Sequence, residues 1–101
     1  MYAVVFHSQR NSDYPELYAE KSAQMEQLVK ESPGYIKHTS FRDQDTGIGV
    51  TISYFADLDS IKTWRNNPAH REVQELGRTH FYLWYRVEIM EIDKTYDWNN
   101  A

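Results

Sequence analysis

The hydrophobic pattern of this chain predicts an α+β fold: one four-stranded antiparallel sheet with helices packed on one side. Three observations carry the prediction. Four segments, 2–10, 35–41, 48–55 and 80–92, are β-branched and aromatic without a helical period. Two intervening segments repeat apolar residues near helical spacing, one after the first strand and one after the third. Turn signals, Ser32-Pro33-Gly34 and the run ending at Gly47, mark the remaining boundaries.

Each element has its own signal. Tyr2 to Arg10 is strand one, with Val4 and Phe6 on one face and Val5, His7 and Gln9 on the other. Asp13 and Glu16 have capping-box spacing, and Pro15 suits a first helical turn, so helix one is expected to start there. Tyr14, Leu17, Tyr18, Met25, Leu28 and Val29 form its apolar stripe, and Ser32-Pro33-Gly34 ends it. Tyr35 to Phe41 is strand two. Ile48, Val50, Ile52 and Tyr54 alternate firmly, so strand three pairs with strand two as a hairpin. Asp57-Leu-Asp59-Ser60 opens the second helix. Asn66-Asn67-Pro68 should break it before a second piece at 69–77, which Gly77 is expected to end. His80 to Ile92 is strand four. The order β-α-β-β-α-β is that of a ferredoxin-like sheet. At 101 residues one domain is expected, a core at 2–92 with a tail at 93–101.

Composition narrows the function. The net charge of −4 disfavours a phosphate backbone, and no basic aromatic RNP signature is present, so a nucleic-acid partner is not expected. The absence of cysteine removes disulfide and thiolate chemistry. No apolar run is long enough for a membrane span, and the start lacks a signal-peptide pattern, so the chain reads as cytoplasmic. Aromatic residues make up 15% of it, a content that suits pockets and interfaces alike.

The sheet is expected to have one plain face, Val4, Phe6, Ile48, Val50, Ile52 and Tyr54 with Leu83, Tyr85, Val87 and Ile89. The other is mixed: His7, Gln9, Thr51, Ser53, Phe55, His80, Tyr82, Trp84 and Arg86. That mixed face suits a small-ligand pocket or an interface, and both readings stay open. With helices on one side only, a monomer would expose a large apolar patch, and a twofold homodimer packing sheet on sheet would cover it.

The four histidines have no metal-binding spacing, so no metal site is expected. Asp43-Gln-Asp45-Thr-Gly47 opens like a calcium loop, but Tyr54 stands where its last glutamate belongs. No nucleophile elbow is present. His7 and His70 are the acid/base candidates, because imidazole titrates near neutrality. Arg78 and Arg86 could hold an anion or simply pair with Glu75 and Glu88. The stretch from Trp64 to Trp84 is densest in large aromatics and titratable groups, and is expected to form part of a pocket wall.

Several stretches together resemble the antibiotic biosynthesis monooxygenase family of the dimeric α+β barrel superfamily. They are Tyr2 to Arg10, Ser32 to Tyr35, Gly47 to Tyr54, Leu58 to Trp64, Ala69-His70-Arg71 and Gly77-Arg78 leading into the aromatic last strand. The resemblance implies a homodimer whose sheets face each other, with a cavity in each subunit between sheet and helices. It implies a monooxygenase-like activity on an aromatic or quinol-type small molecule, with no cofactor. On it, His7, His70 and His80 are the catalytic candidates, with His7 as base and His80 or Arg78 stabilising charge. Trp64, Gln74, Arg78, Tyr82 and Trp84 are the substrate-binding candidates. A haem-degrading branch uses an Asn on strand one, a Trp on the second helix and a His ten residues later. Trp64 matches that Trp, but Gln74 replaces the His and His7-Ser8 stand where the Asn would lie. The alternatives are a non-catalytic ligand-binding or stress-response dimer and, behind it, a haem protein.

Overall fold

A computed structural model describes residues 1–100. The strands are β1 (Tyr2–Arg10), β2 (Tyr35–Arg42), β3 (Ile48–Phe55) and β4 (Tyr82–Glu91). The helices are α1 (Pro15–Lys30), α2 (Leu58–Arg65) and α3 (Pro68–Leu76), and α3 runs on into a π-helical turn at Gly77–Phe81. The sheet is antiparallel throughout, in the order β2-β3-β1-β4. This is the expected ferredoxin-like α+β architecture. No helix among the described residues is long and apolar enough to cross a membrane.

Of the three helix starts, α2 opens on the expected capping residues, α3 is capped within the expected break, and α1 differs from expectation. Asp57 caps α2, its carboxylate accepting from the Ser60 amide and hydroxyl, each at 2.7 Å. Asn67 caps α3 by accepting from the Ala69 and His70 amides, with Pro68 in the first turn. At α1 the expected Asp13–Glu16 capping box is absent. Tyr14 occupies the cap position with φ 52° and makes no side-chain cap bond. Ser12, at φ 71°, is left-handed too. A capping side chain needs an extended backbone at the cap, and the left-handed Tyr14 denies it. The segment is held instead by Arg10 and Asn11. Arg10 donates to the Phe81 carbonyl at 2.6 Å and the Asp13 carbonyl at 3.0 Å. The Asn11 amide group donates to the His80 carbonyl.

Gly77 also differs from expectation. Its φ of −58° and ψ of −46° are helical, so it does not end α3 through a left-handed turn. Glycine serves here for close approach: a Cβ would sit 3.1 Å from the Tyr82 ring. Because the helix continues to Phe81, β4 begins at Tyr82 and not at His80.

The core lies at one end of the helix-covered face. Val29, Phe55 and Ile61 are buried there, with Tyr2, Val4, Tyr35 and Trp64 packed against them. Burying such side chains contributes about 1.5–3 kcal/mol each.

Strand register corrects the two expected faces. Phe6 lies opposite Thr51 and Val87, and Val4 opposite Ser53 and Ile89. His7 lies opposite Val50 and Arg86, and Gln9 opposite Ile48 and Trp84. The alternating Ile48–Tyr54 set therefore shares the face of His7, and the Thr51–Ser53 set shares the face of Phe6. Periodicity shows which residues of one strand go together, but a one-residue change of register reverses the faces between strands. A bulge opposite Gln9 and Arg10 reverses β4 locally as well. It turns Tyr82 toward the helices and leaves Leu83 exposed.

Candidate active site

The helices do not close down on the whole sheet. Beside the core they leave a cavity of about 940 Å³. Its floor is the inner sheet face and its walls come from α1, α2, α3 and the π-helical turn. The floor is divided. Val4 and Phe6 of β1 and Tyr85, Val87 and Ile89 of β4 make an apolar half. Arg42, Ser40 and His38 of β2 with Thr51 and Ser53 of β3 make a polar half. An apolar slot with a few fixed polar groups is the usual form of a small-molecule site.

Five candidates come together in this cavity: Trp64, His70, Gln74, Arg78 and Tyr82. Trp64 and His70 act as a unit, their rings stacked 4.2 Å apart and inclined by 16°. The break at Asn66–Asn67 folds α3 back so that His70 reaches this ring. His70 Nδ1 is 3.0 Å from the Trp64 carbonyl. A carbonyl only accepts, so in the neutral ring Nδ1 holds the proton and Nε2 is the free base. Gln74 Nε2 lies 3.4 Å from the same nitrogen, but its firmer contact is donation to the Arg65 carbonyl at 3.2 Å. Burial pushes the His70 pKa below its ordinary value; the Trp64 carbonyl opposes the shift and nearby Arg65 adds to it. His70 is thus kept neutral, with an unprotonated nitrogen available.

Tyr82 is half-buried, edge-on to Phe6 at 5.5 Å between ring centroids. Burial raises its pKa strongly, and the neighbouring Tyr18 raises it further. Tyr82 therefore remains a neutral phenol and a hydrogen-bond donor. Arg78 is on the rim, donating to the Tyr85 hydroxyl at 3.2 Å and to Glu75 at 2.7 Å. Those two contacts, Tyr85 first, raise its pKa and hold it cationic.

Three candidates lie elsewhere. His7 and Trp84 sit on the opposite sheet face, where Trp84 Nε1 donates to Gln9 Oε1 at 3.0 Å. The reversed register puts them there. His80 belongs to the π-helical turn, outside the cavity, with its ring 4.6 Å from that of Tyr14 and its Nδ1 2.7 Å from Thr79 Oγ1. Because the helix runs past Gly77, His80 never joins the strand.

Arg42 was absent from the expected site. In sequence it only borders the turn that ends at Gly47, yet its guanidinium lies on the polar floor, 5.8 Å from the Tyr82 ring. The available signal was Gly49, an isolated glycine inside a strand, which indicates close approach by another group.

Comparison with known proteins agrees with this architecture. The family model described as antibiotic biosynthesis monooxygenase matches residues 1–76. The uncharacterized protein YqjZ of Bacillus subtilis (strain 168) is 34% identical over 93 residues, which span 92% of this chain and 80% of that protein. Among solved structures, an antibiotic biosynthesis monooxygenase family protein from Deinococcus radiodurans superposes with a TM-score of 0.85 at 9% identity, covering 99% of this chain and 100% of its own. SnoaB of Streptomyces nogalater, described as a cofactor-independent oxygenase, gives 0.76 at 17% identity, covering 93% and 94%. At such identities the structures bear on the fold alone. The matched residues 1–76, with the Bacillus relative, establish that this chain belongs to the antibiotic biosynthesis monooxygenase family.

Proposed function

We propose that this protein is a cofactor-independent monooxygenase of an aromatic, quinol-type small molecule, acting in the cytoplasm as a homodimer. The observation that carries the reading is His70: half-buried, held neutral, stacked on Trp64 and facing a cavity large enough for several fused rings.

His70 Nε2 takes the proton of a phenolic hydroxyl. The resulting anion passes one electron to O₂, and the radical pair joins at the para ring carbon as a peroxide. His70 returns its proton to the peroxide, and loss of the proton on that carbon with cleavage of the O–O bond then gives a quinone and water. Overall, one phenol and one O₂ yield one quinone and one water. Tyr82, a neutral donor, and Arg78, a fixed cation, supply hydrogen bonds to charge that develops on oxygen. Trp64 and Phe6 provide flat apolar surface for the rings.

The test is quinone formation with matched O₂ uptake. His70→Gln should lower turnover by about 10²-fold or more while ligand binding persists. Binding without turnover in the wild-type protein would reduce it to a ligand-binding module.

The open sheet face supports the dimer. It carries Val5, Val50 and Ile52, with Ile48, Trp84 and Met90 largely exposed. Monomers rarely leave such a surface uncovered. Light scattering should give a mass of twice the 12.0 kDa chain; a 12.0 kDa particle at micromolar concentration would reject it.

A further inference from the structure

We propose that Arg42 is a recognition site for a carboxylate on the aromatic substrate, so that the protein acts on aromatic acids and not on neutral quinols. This inference rests on the reading of the cavity as the substrate site and names the class of substrate.

The sheet is built around this guanidinium. Arg42, Gly49, Ser8 and Tyr85 form one row across the four strands. The two middle positions are small, and the Arg42 side chain lies across them. Arg42 Nη2 donates to Ser8 Oγ at 2.9 Å, and Nη1 donates to the Gly47 carbonyl at 2.7 Å and the Ser8 carbonyl at 3.5 Å. Ser8 is fully buried. A Cβ on residue 49 would sit 2.9 Å from Arg42 Cζ and Nη1. The glycine therefore clears the space the cation occupies.

What remains free on Arg42 points to its ligand. Three of the five N–H groups are used, both on Nη1 and one on Nη2. The Nε–H and the second Nη2–H remain. These two lie side by side and form the planar fork that matches a carboxylate's two oxygens. The charge is uncompensated too. Of the other cavity cations, Lys21 and Arg78 are paired with Glu72 and Glu75, while Arg65, which has no carboxylate partner among the described residues, is exposed to solvent. Arg42 has no carboxylate within ion-pair distance among the described residues. Its sequence neighbour Asp43 is turned into the hairpin, accepting from the Thr46 hydroxyl and the Asp45 amide. A half-buried cation, positioned by a buried hydroxyl and lacking an acidic partner, is poised for an anion brought by the ligand.

The experiment is calorimetric titration of the full chain with anthraquinone-2-carboxylate and with its neutral carboxamide. Wild type should prefer the carboxylate by about tenfold or more. Arg42→Gln should bind both alike, at the affinity wild type shows for the amide. Arg65→Gln, altered at the other cavity cation without an acidic partner, should keep the preference, and it decides the matter if the Arg42 variant does not fold. Equal binding of the two probes by wild type would overturn the proposal. So would loss of the preference in Arg65→Gln, equal weakening of both probes by Arg42→Gln, or no binding of either probe. Turnover is scored separately. A carboxylate preference without quinone formation leaves this site standing and defeats the oxygenase reading; turnover of neutral and acidic quinols alike does the reverse.

Discussion

The cavity has two kinds of wall. On the helical side, His70 is held by Trp64, six residues away, through one carbonyl and one ring face. On the sheet side, Arg42 is held by Ser8, 34 residues away, and fits only because a third strand supplies a glycine. The first arrangement is written within one short stretch and needs little beyond the helix break to form. The second exists only after three strands have paired in register. Changes in the helical wall should therefore register first as lost chemistry, and changes in the floor first as lost stability.

His70→Gln is the strongest attack on the helical wall. A positioned base contributes about 10²–10⁴-fold, so this variant should show the largest effect on turnover of any single change in the cavity. Its stability signature should be confined to acid. The folded pKa of His70 is lowered from 6.5, so the unfolded chain binds more protons as pH falls below that value. Wild type then loses stability as pH drops from about 6.5 toward the lowered pKa, and the glutamine variant escapes that loss. Thermal melts of the two proteins should run parallel above neutrality and converge or cross below it. The acid limb of kcat/KM in wild type should fall below pH 6.5 for the same reason. Parallel melts at every pH would show that His70 is not held neutral by the fold.

Gly49→Ala attacks the floor. The new methyl group would lie 2.7 Å from the Phe41 carbonyl and 2.9 Å from the Arg42 guanidinium. The carbonyl is backbone inside a strand pair and cannot yield without disturbing the ladder. We expect a loss of about 1–3 kcal/mol in denaturant unfolding, the range for overpacking a well-filled site. A variant as stable as wild type would mean that the floor is loose and that Arg42 is not fixed by its row.

This division also explains what could be read from the sequence. Trp64, His70, Gln74 and Arg78 are close in the chain, and the Asn67-Pro68 break set their mutual arrangement. The bounds of the first and third strands were equally visible, since Tyr2–Arg10 and Ile48–Phe55 match their expected runs. The pairing between strands was not. Nothing in Val50 or Thr51 alone says which of them lies opposite Phe6, so His7 and Trp84 were expected on the inner face and lie on the outer. The Arg42 site was hidden for the same reason: its row draws one residue from each strand. The bulge that brings Tyr82 inward and the π-helical turn that removes His80 are departures from regular geometry, and residue periodicity carries no sign of either.

Gly77 stands at the junction of the two walls and should give the smallest effect. It is buried, helical in conformation and the first residue of the π-helical turn that leads into β4. Alanine is favoured over glycine in a helix by about 1 kcal/mol. Against that, its methyl group would meet the Tyr82 ring at 3.1–3.2 Å, closer than ordinary contact. The ring is the side that can move, because it borders the cavity. The two effects should nearly cancel, leaving Gly77→Ala within about 1 kcal/mol of wild type in stability. The strain should appear at Tyr82 instead, as weaker binding of aromatic ligands. A loss above about 2 kcal/mol would show that the Tyr82 ring cannot give way, and that helical wall and strand floor are locked together at this point.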